Sequence, residues 1–420
     1  MTGPTRAHLG WLATGAVATG ARLLYLLAAT DPAAADSDAR HYHEIAGNLA
    51  AGHGFTSTYP QVLEHATAFR PPLYPALLAL VYRFVGPSVT AGKLANVAIG
   101  VAVVLLTGRL VASRCGRREG WIAGGLVALY PPLIANDVNL LTEPLTLLLL
   151  VLLAGEVSGR RRWWLIGIET AALALTRPSA LLLAVPVAIF VWQQVGVRRA
   201  LACLALVALC LLPWSARNHV QVGTWGLTTS NGFNLAAMYS PPAQERHAFV
   251  DLTADPWFED HRLSQFDEAL WDAELLAIGR DGIRRSPQYV GLVAARNTAA
   301  LTEVRPWYND DAERMDGRNL TIRSLSLPLF YVVSALGIWG LWRGRRNPAV
   351  AFLAVSGAYF VAVSLVTIAA PRLRAPADLA CCVGAALVLA GARRARADPL
   401  PADPLPADRL VAAPDAHVGA

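Results

Sequence analysis

The chain is 420 residues long, 55% hydrophobic and only 16% charged, with a formal net charge of +6. That charged fraction lies well below the roughly one quarter of soluble domains, which excludes an ordinary soluble enzyme and leaves a helix bundle in lipid. The positive balance does not signal a nucleic-acid partner, because the cations sit in short clusters between apolar segments, the pattern that orients a membrane protein.

Residues 9–29 follow Arg6 and make the first expected span. Ala33-Ala34-Ala35 resembles a signal-peptidase site, but the apolar run is longer than a signal core and Arg22 interrupts it, so an uncleaved anchor with a cytoplasmic N-terminus is expected. Residues 36–70 are polar and external. Within them 38–51 reads as a helix, with Asp36 or Ser37 as N-cap and Gly52 as its stop. Asp38, Tyr42, Ile45 and Leu49 then share one face.

The next apolar piece, 71–86, is marginal for a span, since ~16 residues give a helix of ~24 Å against ~30 Å of hydrocarbon. Charge parity decides the matter. If 71–86 does not cross, the remaining spans fall at 88–112, 120–137, 140–157, 163–177, 179–195, 200–216, 323–342, 348–368 and 378–392. The clusters Arg114/Arg117/Arg118, Arg160–Arg162, Arg198/Arg199, Arg343/Arg345/Arg346 and Arg393/Arg394/Arg396 then share a side with Arg6. An interfacial helix is therefore expected at 71–86.

The expected fold class is an all-α polytopic membrane protein with about ten transmembrane helices, both termini inside, a first external loop carrying interfacial helices, and a second, larger external region. Its divisions are an N-terminal transmembrane module over 1–216 with an external loop at 30–87, the external region at 217–322, C-terminal transmembrane helices at 323–392, and a tail at 393–420. In the external region Pro287 should divide a helical stretch into two pieces. The tail repeats DPLPA and is expected to be disordered and cytoplasmic.

On this topology the ionisable residues near span ends collect on the outer side: Arg22, Glu143, Arg177, Arg372 and Arg374 share a leaflet with Asp36, Asp38 and Arg70. Ionisable groups at membrane depth are costly and tend to mark a site. Asp38, in the first turn of its helix, sees the positive end of the dipole and is left as a carboxylate positioned to accept a proton if Asp36 caps. His41, His43, His53 and His65 make a poor metal set, because positions i and i+2 of one helix point apart. A divalent metal remains a possible assisting ion rather than an expected one. Of the five cysteines, Cys203, Cys210, Cys381 and Cys382 lie in apolar segments and Cys115 in a basic loop, and all read as small apolar side chains.

Asp38-Ala39-x-x-Tyr42-His43-x-x-Ala46-x-x-Leu49-x-x-Gly52-x-Gly54-Phe55, followed by Arg70-Pro71-Pro72-x-Tyr74-Pro75, resembles the first external loop of GT-C-type glycosyltransferases. The nearest branch is that of protein O-mannosyltransferase-like and aminoarabinose-transferase-like enzymes. Further matches follow in order: Leu141-Thr142-Glu143-Pro144, Thr176-Arg177-Pro178, Pro213-Trp214-Ser215-Ala216-Arg217-Asn218, Asn231-Gly232-Phe233-Asn234 and Arg372-Leu373-Arg374-Ala375-Pro376. The resemblance implies transfer of a sugar from a polyprenyl-phosphate carrier, with inversion, to a lipid, glycan or protein acceptor on the external face of the plasma membrane. It implies an acidic catalytic residue at Asp38. Many relatives carry an adjacent Asp-Glu pair where this chain has Asp36-Ser37-Asp38, which keeps Asp36 as the second catalytic candidate.

Such a transfer needs a base for the acceptor hydroxyl and cations for the departing phosphate. Asp38, oriented by Tyr42 and Glu44, is the expected base, and one or two of Arg70, Arg177, Arg372 and Arg374 are expected to hold phosphate. Tyr42, His43, Tyr74, Glu143 and Asn231 complete the expected substrate-binding set. Glu143 reads equally as a ligand of sugar or acceptor hydroxyls and as a partner for one arginine. A lipid-linked-sugar transporter or flippase and a non-catalytic cell-envelope assembly protein are the competing readings. The absence of internal repeats and the charges gathered on one face argue against the transporter. The assembly protein requires Asp38 and the outer arginines to lie apart.

Overall fold

The computed structural model describes residues 3–29, 38–59, 63–159, 162–252, 255–258 and 267–391. Asp36, Arg160, Arg161 and the tail at 393–420 lie outside the described residues.

The first helix, α1 (Gly3–Ala29), is followed by α2 (Asp38–Ala51), whose bounds match those expected from the sequence. Tyr42, Ile45 and Ala46 turn its apolar face inward. The helix stops where Gly52 (φ 88°) and Gly54 (φ 89°) take left-handed conformations that other residues adopt only at a cost. A two-stranded hairpin, β1 (Thr56–Ser57) against β2 (His65–Ala66), carries the chain back toward Arg70 with Thr56 opposite Ala66. Pro71-Pro72 then start α3 (Leu73–Val85), which is 13 residues long and ends at Gly86 (φ 79°). A helix of that length reaches only ~20 Å, short of the ~30 Å hydrocarbon core.

The bundle continues through α4 (Val89–Arg114), α5 (Arg117–Leu129), α6 (Pro131–Asp137), α7 (Glu143–Ser158), α8 (Trp163–Thr176), α9 (Ala184–Val195) and α10 (Val197–Val222). The external region supplies α11 (Asn231–Tyr239), α12 (Pro241–Arg246), α13 (Glu268–Arg285), α14 (Pro287–Leu301) and α15 (Asp310–Met315); α16 (Leu320–Gly344), α17 (Pro348–Val366) and α18 (Ala375–Leu389) close the bundle. Among the described residues six helical segments, His8–Ala28, Val89–Arg114, Pro178–Val195, Val197–Val222, Leu320–Gly344 and Pro348–Val366, are long and apolar enough to cross a membrane. All the expected spans fall on helices, with one change of shape. The span at 120–137 is broken at Tyr130 into α5 and α6, because Pro131 and Pro132 lack the N–H groups that would continue the first helix. The remaining short helices, α7, α8 and α18, are 16, 14 and 15 residues long and largely buried among their neighbours.

The tightest seam joins α16 to α18. A Cβ on Gly337 would lie 2.6 Å from the Cα of Cys381, and one on Gly340 would collide with the carbonyl of Gly384. Only glycine lets two backbones approach this closely, as in small-residue packing of membrane helices. In the external region α13 begins at Asp267, whose side chain caps Leu270 N at 2.9 Å, and Pro287 separates it from α14 as expected. Trp271 of α13 is fully buried beside Phe69, Ala236, Ala237 and Phe258, so the external region shares an apolar core with the first loop.

Candidate active site

The fold brings Asp38 to a point where three distant stretches of chain meet. Arg70, after the hairpin, donates through Nη2 to Asp38 Oδ1, and Arg372, in the 3-10 turn before α18, donates through Nη2 to Oδ2 at 2.6 Å. The same Arg70 nitrogen lies 2.9 Å from His41 Nδ1, and its guanidinium stands over the Tyr42 ring at 5.4 Å. Burial, followed by the charge of Arg70, pushes the His41 imidazole down to about 3, so it is neutral and accepts from Arg70. Burial alone would raise the Asp38 carboxyl, but Arg70 and then Arg372 override it and hold the group well below the usual carboxylate range.

Arg372 has a second carboxylate partner: its Nη1 lies 3.0 Å from Asp316 Oδ1. Beyond Asp316, Arg318 pairs with Glu313 at 3.1 Å and reaches Asn136. The Nε atoms of Arg70 and Arg372 are buried with no hydrogen-bond partner. An orphaned donor of this kind costs free energy unless a ligand satisfies it. Two such donors flanking one carboxylate form a fork suited to phosphate oxygens.

Tyr42 is buried edge-to-face against Tyr74, with centroids 5.0 Å apart, and Tyr74 Oη accepts from Asn96 at 2.9 Å. His43 Nδ1 lies 2.8 Å from Tyr82 Oη and fastens α2 to α3. Glu143, the first residue of α7, pairs with Arg177 at 3.2 Å through Oε1, while its Oε2 is buried without a partner. The structure therefore gives Glu143 an arginine partner on one oxygen and leaves the other without a protein partner.

Two expected placements differ. Glu44 does not orient Asp38: it accepts from Ser57 Oγ at 3.1 Å and Thr58 N at 2.6 Å and so pins the hairpin, because it lies on the opposite side of α2. Arg374 turns away from Asp38 into a buried carboxylate cluster, with Glu303 at 2.7 Å, Asp378 at 3.3 Å and the Leu301 carbonyl at 2.6 Å. In a 3-10 turn of three residues per turn, i and i+2 cannot face the same way. Asn231 opens α11, is exposed, and donates to the Thr228 carbonyl at 3.4 Å.

Sequence reasoning missed Asp316, Arg318, Glu303, Glu313, Arg323 and Glu268, all buried. The density of ionisable residues over 303–323 was the available signal, and it reads like a solvated loop until partners are known. Glu268 accepts from Thr67 Oγ1 and Ala68 N, both at 2.7 Å, and from His65 Nε2 at 2.9 Å, locking the segment that leads into Arg70. A narrow cleft with about 20 Å³ of free space is lined by Tyr25, Arg318, Arg323, Phe330, Pro371 and Arg374 among others.

Among the described residues no group of three His, Cys, Asp or Glu side chains converges as metal ligands. Asp38 has a guanidinium group against each of its oxygens.

No protein-family profile and no curated protein matches the chain. Solved structures do. The apo oligosaccharyltransferase of Archaeoglobus fulgidus superposes with a TM-score of 0.50 at 13% identity, over 91% of this chain and 50% of that one. The fold is of the GT-C type. The archaeal oligosaccharyltransferase AglB from the same organism, in complex with an inhibitory peptide and a dolichol-phosphate, gives 0.49 at 14% identity over 91% and 50%. The chain spans about half the length of these GT-C proteins, and identity this low carries the fold alone.

Proposed function

We propose that this membrane protein is a glycosyltransferase of the protein O-mannosyltransferase-like and aminoarabinose-transferase-like branch, moving a sugar from a polyprenyl-phosphate-linked donor to an acceptor hydroxyl with inversion. The observation that carries this reading is Asp38 held between Arg70 and Arg372, each with an unsatisfied Nε. Their contact with Asp38 disfavours the assembly-protein reading, which needs these groups apart. The proposed topology places the centre on the outer face of the plasma membrane, with both termini inside and α3 lying on the outer leaflet.

In this reading the donor phosphate takes the place of Asp38 on the two guanidinium groups. Its oxygens satisfy the Nε donors, and the charge that builds on it as the glycosidic bond breaks meets fixed cations. Asp38, relieved of the partners that hold its carboxyl low, becomes a stronger base for the acceptor hydroxyl attacking from the opposite face. Glu143 Oε2 is left to accept from a sugar or acceptor hydroxyl, while Oε1 stays paired with Arg177. Tyr42 and Tyr74 wall the site, and membrane lipid surrounds the bundle.

The test is a screen of polyprenyl-phosphate hexoses and pentoses against the purified protein in detergent, following release of prenyl phosphate. Turnover of at least one donor, abolished by Asp38→Asn, is expected. An Asp38→Asn protein that transfers at the wild-type rate would sink the assignment.

A further inference from the structure

Arg372 is gripped from two sides, by Asp38 through Nη2 and by Asp316 through Nη1. The turn that delivers Asp316 is rigid. Asp316 N, Gly317 N and Arg318 N bond back to the carbonyls of Ala312, Arg314 and Glu313 at 3.0, 2.9 and 2.9 Å. Gly317 has a φ of 70°, the left-handed cap conformation in which glycine pays no steric penalty. The turn sends Asp316 toward Arg372 and Arg318 toward Glu313 and Asn136.

The reaction proposed above leaves a proton to be placed. A prenyl phosphodiester donor carries one negative charge. On transfer the bond from the anomeric carbon to the phosphate oxygen breaks, its electron pair stays on the phosphate, and the acceptor oxygen bonds the carbon as it sheds its proton. The prenyl monophosphate product has a second ionisation near pH ~6, so above that pH one more negative charge now sits against Arg70 and Arg372. Asp38 takes the acceptor's proton and gives it up to solvent once the phosphate leaves and its two arginines return, which leaves the second phosphate charge to be balanced while the product is still bound.

Resting on that reading, we propose that Asp316 is the charge compensator of the transfer: it takes a proton from solvent as the phosphate beside Arg372 gains its second charge, so the net charge around Arg372 stays constant. Asp316 acts through Arg372 and is a positioning residue rather than a catalytic one. The groups that face it are Arg372 from the turn before α18, Asp38 from α2, Arg318 from its own turn and Glu313 from α15. Burial pushes its carboxyl up to about 7 despite Arg372 and Arg318, with Asp38 and Glu313 adding to the rise. A further anion beside Arg372 raises it again, so phosphate binding between pH ~7 and ~8 draws a proton from solvent.

The experiment is calorimetric titration of the full chain, in detergent micelles, with undecaprenyl phosphate at pH 7.5 in buffers of different ionisation enthalpy. The wild type should take up roughly half a proton or more per phosphate bound, Asp316→Asn close to none, and Asp316→Glu most of the wild-type amount. Asp316→Asn, lacking a nearby negative charge, should bind the phosphate several-fold more tightly at pH 8.5 and converge with the wild type at pH 5.5. The wild type alone gives a second readout: the methyl ester of undecaprenyl phosphate, locked as a monoanion, should draw less than half the protons. Equal uptake by wild type and Asp316→Asn, or by ester and free phosphate, overturns the inference while leaving the transferase reading standing. No binding of undecaprenyl phosphate by the wild type overturns both.

Discussion

Two arginine clusters lie within a few residues of each other, built from the same side chains and put to opposite uses. In the first, Arg323 spends its guanidinium on Glu303 at 2.7 Å, Asp310 at 2.8 Å and the Pro306 carbonyl at 2.7 Å, and Arg374 spends its own on Glu303, Asp378 and the Leu301 carbonyl. In the second, Arg70 and Arg372 hold Asp38 between them and keep their Nε atoms unsatisfied. A saturated buried cluster is structural, since removing any member strands a charge. An unsaturated one keeps donors for a ligand. Between these two clusters it is the unmet Nε atoms, not the charges, that mark the difference.

This contrast is open to direct attack, and the largest effect should fall on Asp38. Asp38→Asn keeps the shape, loses the base, and should lower sugar transfer by roughly 10²- to 10⁴-fold, with some fall in melting temperature because Arg70 and Arg372 lose their shared carboxylate; transfer at the wild-type rate by the folded variant would move Asp38 into the structural class. Glu303→Ala should do the reverse. It leaves Arg323 and Arg374 partly unpaired in the interior and should cost about 3–5 kcal/mol, seen as a large fall in the melting temperature in detergent. A stable Glu303→Ala protein with normal yield would dissolve the distinction. Arg372→Lys keeps the charge but loses the fork, and should weaken donor affinity about tenfold or more, on the scale of one charge-assisted hydrogen bond, measured as KM for the donor.

The smallest expected effect is at His65. Burial opposes its protonation, but the hydrogen bond to Glu268 holds the imidazolium above its ordinary range. A raised folded value means that the pair's stabilisation is complete below the unfolded pKa of about 6.5 and is lost as pH rises through the folded value. Melting temperature should slip slightly from pH 6 to pH 8.5 in the wild type, and His65→Phe should remove that share of the slope.

Much of this architecture was legible because it rests on local rules. The limits of α2 follow from an acidic first turn and Gly52, and the break between α13 and α14 from Pro287. Asp38, Arg70 and Arg372 were singled out by motif order, and the fold brings them into contact. The failures share one physical origin. Whether a charged residue is buried depends on a partner far away in sequence: Arg374 next to Arg372, and Asp316 in a polar stretch, carry no local mark of the partner each one finds. Glu44 failed for the converse reason, since adjacency on a helix does not place two side chains on one face.

The glycine seam between α16 and α18 has a mechanical consequence. Two helices whose backbones touch along Gly337, Gly340 and Gly384 cannot slide or splay without opening a void along the whole seam, so they behave as one beam. The turn bearing Arg372 and Arg374 is continuous with the end of that beam, at the start of α18. Asp38 instead sits at the tip of α2, carried by a loop fastened through side chains such as His43, Arg217 and Glu268. Of the two partners in the central ion pair, the arginine is the fixed post and the aspartate the swinging leaf, so whatever admits a substrate must do so by moving the loop.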